Sequence, residues 1–117
     1  MSKAKAKGTS AESALVKYLV SQGYPNAERR ALSGSNDLGD VSGCVGLVWE
    51  VKNHKTYSIP AWLEETQIEA ENANADFGIL AVKPNKVGLG NVENWWAIMT
   101  IKDIVNLLRD AGYGDPR

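Results

Sequence analysis

The chain has 117 residues, 44% hydrophobic and 23% charged, with a formal net charge of −1. This is enough for one domain with a modest core. No apolar run approaches the ~20 residues of a membrane span, and the N-terminus lacks a secretory apolar segment. A single cysteine, Cys44, excludes an internal disulfide and a cysteine zinc cage within one chain, so a reducing, cytoplasmic setting is expected. Residues 1–30 hold six basic and two acidic groups, whereas residues 61–80 hold five acidic and no basic ones. That asymmetry is a weak pointer to nucleic acid approached through one basic surface.

In chain order, residues 1–7 alternate lysine (Lys3, Lys5, Lys7) with small residues and have nothing to bury. They read as a mobile basic arm, either an idle terminus or a phosphate-contacting tail, ahead of a single domain over residues 8–117. A first helix is expected from Thr9 or Ser10 to near Gly23, with Thr9 and Glu12 at capping-box spacing. Its apolar stripe is Ala11, Ala14, Leu15, Tyr18 and Leu19. Glu12 lies in line with Leu15 and Leu19, so its carboxylate is on the inward edge of that stripe. A turn at 23–26 leads to a strand over 27–33, where Arg29 and Arg30 point opposite ways, and to a loop at 33–36.

Residues 39–52 read as two short strands joined by a glycine-rich turn. Alternation places Leu47, Trp49 and Val51 on one face, and Val48, Glu50 and Lys52 on the other. Glu50 and Lys52 are then about 7 Å apart along the strand. Asp40 opens the preceding strand, and hairpin pairing brings it close to Glu50. Two carboxylates so placed repel unless a cation or a proton sits between them. The plainer alternative makes Asp40 a turn residue and Glu50 with Lys52 a solvated ion pair. A polar exit at 53–56 carries His54 and Lys55, His54 falling on the Glu50 face if the strand continues.

Ser58 and Pro60 announce a second helix to about Ala75. Leu63, Thr66, Gln67, Ala70 and Asn74 are expected on its packed side, with Glu64, Glu65 and Glu71 largely toward solvent. Gln67 there needs a polar partner, either the acids or a backbone group. An apolar central strand follows at 77–83, a loop at 84–91 and a strand at 93–99 with Trp95 and Trp96. Thr100 and Asp103 cap a last helix ending at Gly112. The order is helix, three strands, helix, two strands, helix: a mixed α/β sheet with helices packed on it.

These residues and this order resemble the PD-(D/E)XK nuclease superfamily, and within it the archaeal-type Holliday junction resolvases and their phage relatives. The likeness is carried by Lys7-Gly8-Thr9 followed by Glu12, Arg29 four residues before Ser33-Gly34-Ser35, Asp40, and the Glu50-Val51-Lys52 triplet, spanning residues 7–83. Gly39 departs from it, standing where the family often has proline. The last strand and helix lie outside the matched part, where they either build a dimer interface or finish the sheet.

The resemblance implies a restriction-endonuclease-like α/β fold and Mg²⁺-dependent hydrolysis of DNA phosphodiesters, with Mn²⁺ as substitute. Asp40, Glu50 and the backbone carbonyl of Val51 would bind the ion, and Glu12 would complete the acidic cluster. Lys52 would orient the attacking water or stabilise transition-state charge. Arg29, Arg30, Ser33, Ser35, Lys7 and Lys55 would contact phosphates, with Gln67 and His54 as accessory candidates. A homodimer is expected, because a four-way junction is two-fold symmetric and needs paired nicks. The alternatives are another nuclease of the same superfamily acting on duplex, flap or single-stranded DNA, a non-catalytic DNA-binding module, and a structural protein with an incidental ion pair.

Overall fold

The structure, a computed structural model, describes residues 2–30 and 37–115. In chain order the elements are α1 (Lys3–Ser21), β1 (Glu28–Arg29), β2 (Val41–Ser42), β3 (Leu47–Lys52), α2 (Ile59–Asn72), β4 (Phe77–Val82), a 3₁₀ turn (Val92–Asn94), β5 (Trp96–Ile98) and α3 (Ile101–Asp110). The five strands form one sheet in the order β1-β2-β3-β4-β5. Only β3 and β4 pair in parallel, because α2 carries the chain back across the sheet between them. The other pairs are antiparallel, so the fold is α/β with a mixed sheet.

Helices cover both faces of the central strands. Ala11, Leu15 and Leu19 of α1 pack with Val41, Val51 and Ala81 on one face. On the other, Trp62 of α2 packs with Leu80 and Val82. The close approach of α2 depends on Gly78, where a Cβ would lie 3.0 Å from the Thr66 carbonyl oxygen and 3.1 Å from the Ala70 Cβ.

Helix α1 begins at Lys3 rather than near Thr9, so residues 3–7 are its first turns and not an arm. Ser2 provides the cap, its hydroxyl accepting from the Lys5 N–H at 3.1 Å, and the alternating alanines and lysines that follow are good helix formers. Glu12 therefore sits in the helix interior. The strand expected over 27–33 is Glu28–Arg29 among the described residues, and Ser33 and Ser35 lie outside them. The strand expected over 93–99 is shortened by the 3₁₀ turn. Trp95 is buried, donating its indole N–H to the Gly88 carbonyl at 3.1 Å, while Trp96 is exposed. Thr100 caps α3, its hydroxyl accepting from the Asp103 N–H at 3.2 Å. No residue of α3 is buried, and Ile101, Val105 and Leu108 are exposed on it.

The turn before Asp40 requires glycine. Gly39 has φ +93°, and a Cβ there would lie 2.7 Å from Val48 Cγ1 and 3.1 Å from the Trp49 carbonyl oxygen. Its N–H donates to Asp37 Oδ1 at 2.9 Å. Gly39→Ala is expected to destabilise by about 1–3 kcal/mol. Gly39→Pro should cost more, since proline fixes φ near −65° and removes the N–H. Urea unfolding midpoints of the two variants check that order.

Candidate functional site

Register brings the two hairpin acids together. Val41 pairs with Trp49, and the Asp40 N–H donates to the Trp49 carbonyl at 2.9 Å, so Asp40 lies opposite Glu50. The Asp40 carboxylate also accepts the Val51 N–H at 2.7 Å, which fixes the side chain against β3. The expected faces of β3 hold, but the face carrying Glu50 and Lys52 is roofed by α2 and is not solvated. Glu50 is 4% exposed and its Oε1 has no hydrogen-bond donor.

Lys52 lies on the same face, its Nζ 3.2 Å from Glu50 Oε2 and 3.2 and 3.3 Å from the two Glu65 oxygens. It also stands over the Trp62 ring, 5.9 Å from the centroid. On the α1 side, Arg29 Nε is 3.2 Å from Glu12 Oε1, so this arginine is engaged by the helix acid. Arg30 donates its N–H to the Asp40 carbonyl at 2.9 Å, and its Nε has no acceptor among the described residues.

Glu12, Asp40, Glu50, Val51 and Lys52 line one open cleft of about 280 Å³, with Lys7, His54 and Lys55 also on its walls. Lys7 belongs there through α1, whose Lys7 carbonyl accepts from Asn53 Nδ2 at 3.3 Å. His54 is exposed and leans on Trp62 with ring centroids 5.0 Å apart. Gln67 does not reach the acids by a hydrogen bond, and its Nε2 is buried without an acceptor.

The sequence reading missed the α2 carboxyls. Glu65 is half-buried and holds Lys52, and Glu69 is 1% exposed with neither oxygen hydrogen-bonded to a donor among the described residues. The buried stripe of α2 is Trp62, Thr66, Glu69 and Ala70. Choosing Leu63 as the start of the stripe shifted its phase by one residue. The signal available was Trp62, the largest apolar side chain of the helix, from which Thr66 and Glu69 follow at helical spacing.

The crowding is visible in the titration of these groups. Burial first, then contacts with Glu65 and Asp40, push the Glu50 carboxyl up to about 12. Burial and Asp37 push Glu69 up to about 9. Glu65 is held below its ordinary value by hydrogen bonding to Glu50 and then by Lys52. Burial opposes the charge on Lys52, but the Glu50 and Glu65 carboxyls outweigh it and its pKa is raised. A protonated Glu50 and a negative Glu50 beside Lys52 are different states. The desolvated surroundings favour the protonated one, with Glu65 as the anion that holds Lys52. Glu12 is raised by burial and by Asp40, against the opposing effect of Arg29.

Comparison with protein-family models, with curated proteins and with solved structures finds no match. No helix among the described residues is long and apolar enough to cross a membrane.

The raised carboxyls make stability depend on pH in a defined direction. Folded Glu69 keeps its proton to about pH 9, while an unperturbed glutamic acid releases it near 4.5. Between those values the folded state binds more protons than the unfolded one, so stability present at acid pH is lost as pH rises. In EDTA, the melting temperature should therefore fall between pH 5 and 9. Glu69→Gln should flatten this fall and exceed the wild type at pH 8 by about 1–3 kcal/mol. Thermal unfolding across that range checks both.

Proposed function

We propose that the chain is a metal-dependent DNA endonuclease of the PD-(D/E)XK type, with a restriction-endonuclease-like core, that acts on four-way junctions. One observation carries this reading: Asp40, Glu50 and Lys52 converge beside Glu12 in a cleft whose walls also carry Lys7 and Lys55. The order of elements supports it, since α1, β1, β2, β3, α2 and β4 follow the αβββαβ core to which the sequence resemblance points.

The donor set fits a hard divalent cation. Glu50 Oε1 is a buried carboxyl oxygen without a donor, and Asp40 is oriented beside it by the Val51 N–H. Asp40, Glu50 and the Val51 carbonyl would hold Mg²⁺ or Mn²⁺, with Glu12 completing the cluster. When bound, such an ion acidifies water and polarises the phosphate. Lys52 lies two residues beyond Glu50 on the same strand face, where its ammonium can orient the attacking water and stabilise charge developing on the phosphate. Lys7 and Lys55 on the cleft wall are assigned to backbone phosphates, as are Arg29, Arg30, Ser33 and Ser35 from the sequence resemblance.

Cutting a two-fold junction needs paired incisions, so a second copy of the chain belongs to this reading. The exposed apolar residues Ile101, Val105 and Leu108 of α3, with Trp96 on β5, offer a surface of the kind such pairing uses.

Labelled four-way junction, flap and linear duplex DNA, each with Mg²⁺ or with EDTA, test the proposal. Symmetric Mg²⁺-dependent nicks confined to the junction are expected. Cutting of all three would leave the nuclease and remove the junction preference, and no cleavage with Mg²⁺ or Mn²⁺ would refute the enzyme. Asp40→Asn and Glu50→Gln should each lower cleavage by more than about 100-fold, since even the outer-shell partners of metal ligands are worth 10–100-fold. DNA binding should be largely kept. Lys52→Ala should slow cleavage by about 10²–10³-fold while metal affinity changes less.

A further inference from the structure

A second set of carboxyls gathers where α2 meets Asp37. Asp37, Glu65 and Glu69 each present an oxygen, and the three oxygens lie within 4.8 Å of one another. Oxygens bound at 2.0–2.6 Å to a common hard cation are separated by at most about 4–5 Å, so this spacing suits one ion.

The cluster is built into the fold. Asp37 is set by its own Oδ1, which accepts the Gly39 N–H at 2.9 Å, and by its carbonyl, which accepts Asn72 Nδ2 at 3.0 Å. Glu65 and Glu69 are one helical turn apart on α2. Glu69 is almost fully buried, yet neither of its oxygens has a donor among the described residues. Glu50 and Glu65 are drawn together by Lys52, whose Nζ lies 3.2 Å from Glu50 Oε2 and 3.2 Å from Glu65 Oε1. An ionised carboxylate only accepts hydrogen bonds, so carboxyls in mutual contact need a proton or a cation between them.

We propose that Asp37, Glu65 and Glu69 form a second site for a hard divalent cation, clamping the 37–40 turn to α2 behind Glu50. The site is separate from the ligands assigned in the cleft, since none of its three carboxyls is among them. Its occupancy holds together three carboxyls that otherwise repel one another, and so stabilises the fold.

Titration calorimetry with Mn²⁺ at pH 7.5, joined to thermal unfolding with and without Mn²⁺, tests the proposal on the full chain. The wild type is expected to take up about two ions. Asp40→Asn should keep about one, together with most of the Mn²⁺-dependent rise in melting temperature. The double variant Asp37→Asn with Glu65→Gln, and separately Glu69→Gln, should also keep about one ion but lose most of that rise. Unchanged stoichiometry and unchanged thermal response in both α2-side variants would overturn the second site while leaving the cleft site standing. Loss of all binding in Asp40→Asn would overturn it too, by showing a single ion held from the cleft. A cluster that shares protons alone would show the pH dependence of Glu69 without any Mn²⁺ response outside the cleft, and that also defeats the proposal.

Discussion

The structure turns on a constraint imposed by β3: a strand covered by helices on both faces has no solvent side. Alternation sends Val51 toward α1, and Val48, Glu50 and Lys52 toward α2. Glu50 is thus committed to the interior by its position in the strand, whatever its chemistry. A buried carboxyl must keep its proton, meet a cation or be matched by a buried base. Here burial keeps the proton on Glu50, with the Lys52 ammonium, two residues on and on the same face, 3.2 Å from its Oε2. Glu65 then reaches Lys52 from above, which leaves Glu50 crowded by acids on both sides. The cleft acids and the α2 acids are therefore parts of one charged seam, with Glu50 at its centre.

Much of this was legible in the sequence, because period and pairing are local rules. The strand faces around Glu50, the opposition of Asp40 to Glu50 and the order of elements follow from alternation and turn signals. Other features depend on what packs against what. A second capping hydroxyl at Ser2 competes with Thr9, and the helix takes the earlier one because the intervening alanines and lysines support it. On α2, Leu63 and Trp62 are adjacent and both apolar, so the stripe has two phases. The sheet selects Trp62, and Glu69, seven residues on, follows it to the buried side. Gly39 reads as a looser substitute for proline in sequence, whereas its positive φ and the crowded Val48 side chain exclude proline from this turn.

The sheet manages its borders by brevity. β5 has three residues, so that edge offers no long ladder to a foreign strand. Association by strand addition is disfavoured on that side. The apolar surface left over is on side chains: Trp96 outside β5 and the outer residues of α3. A helix with no buried residue that keeps so many aliphatic side chains on its surface is a different kind of border, one suited to face-to-face packing.

The parallel pairing of β3 with β4 also bears on how the chain reaches its fold. The β2–β3 hairpin is local and can form early, but β4 can join it only after α2 has crossed the sheet. Docking of α2 is the event that carries Glu65 and Glu69 against Glu50. The electrostatic difficulty of the finished interior is thus met where α2 docks on the sheet. Protons or cations taken up at that step act on the barrier as well as on the product, so the folding arm of the chevron should carry the pH sensitivity to the extent that α2 is already docked in the transition state. The same pair of glutamates that shapes the site would then set the tempo of folding.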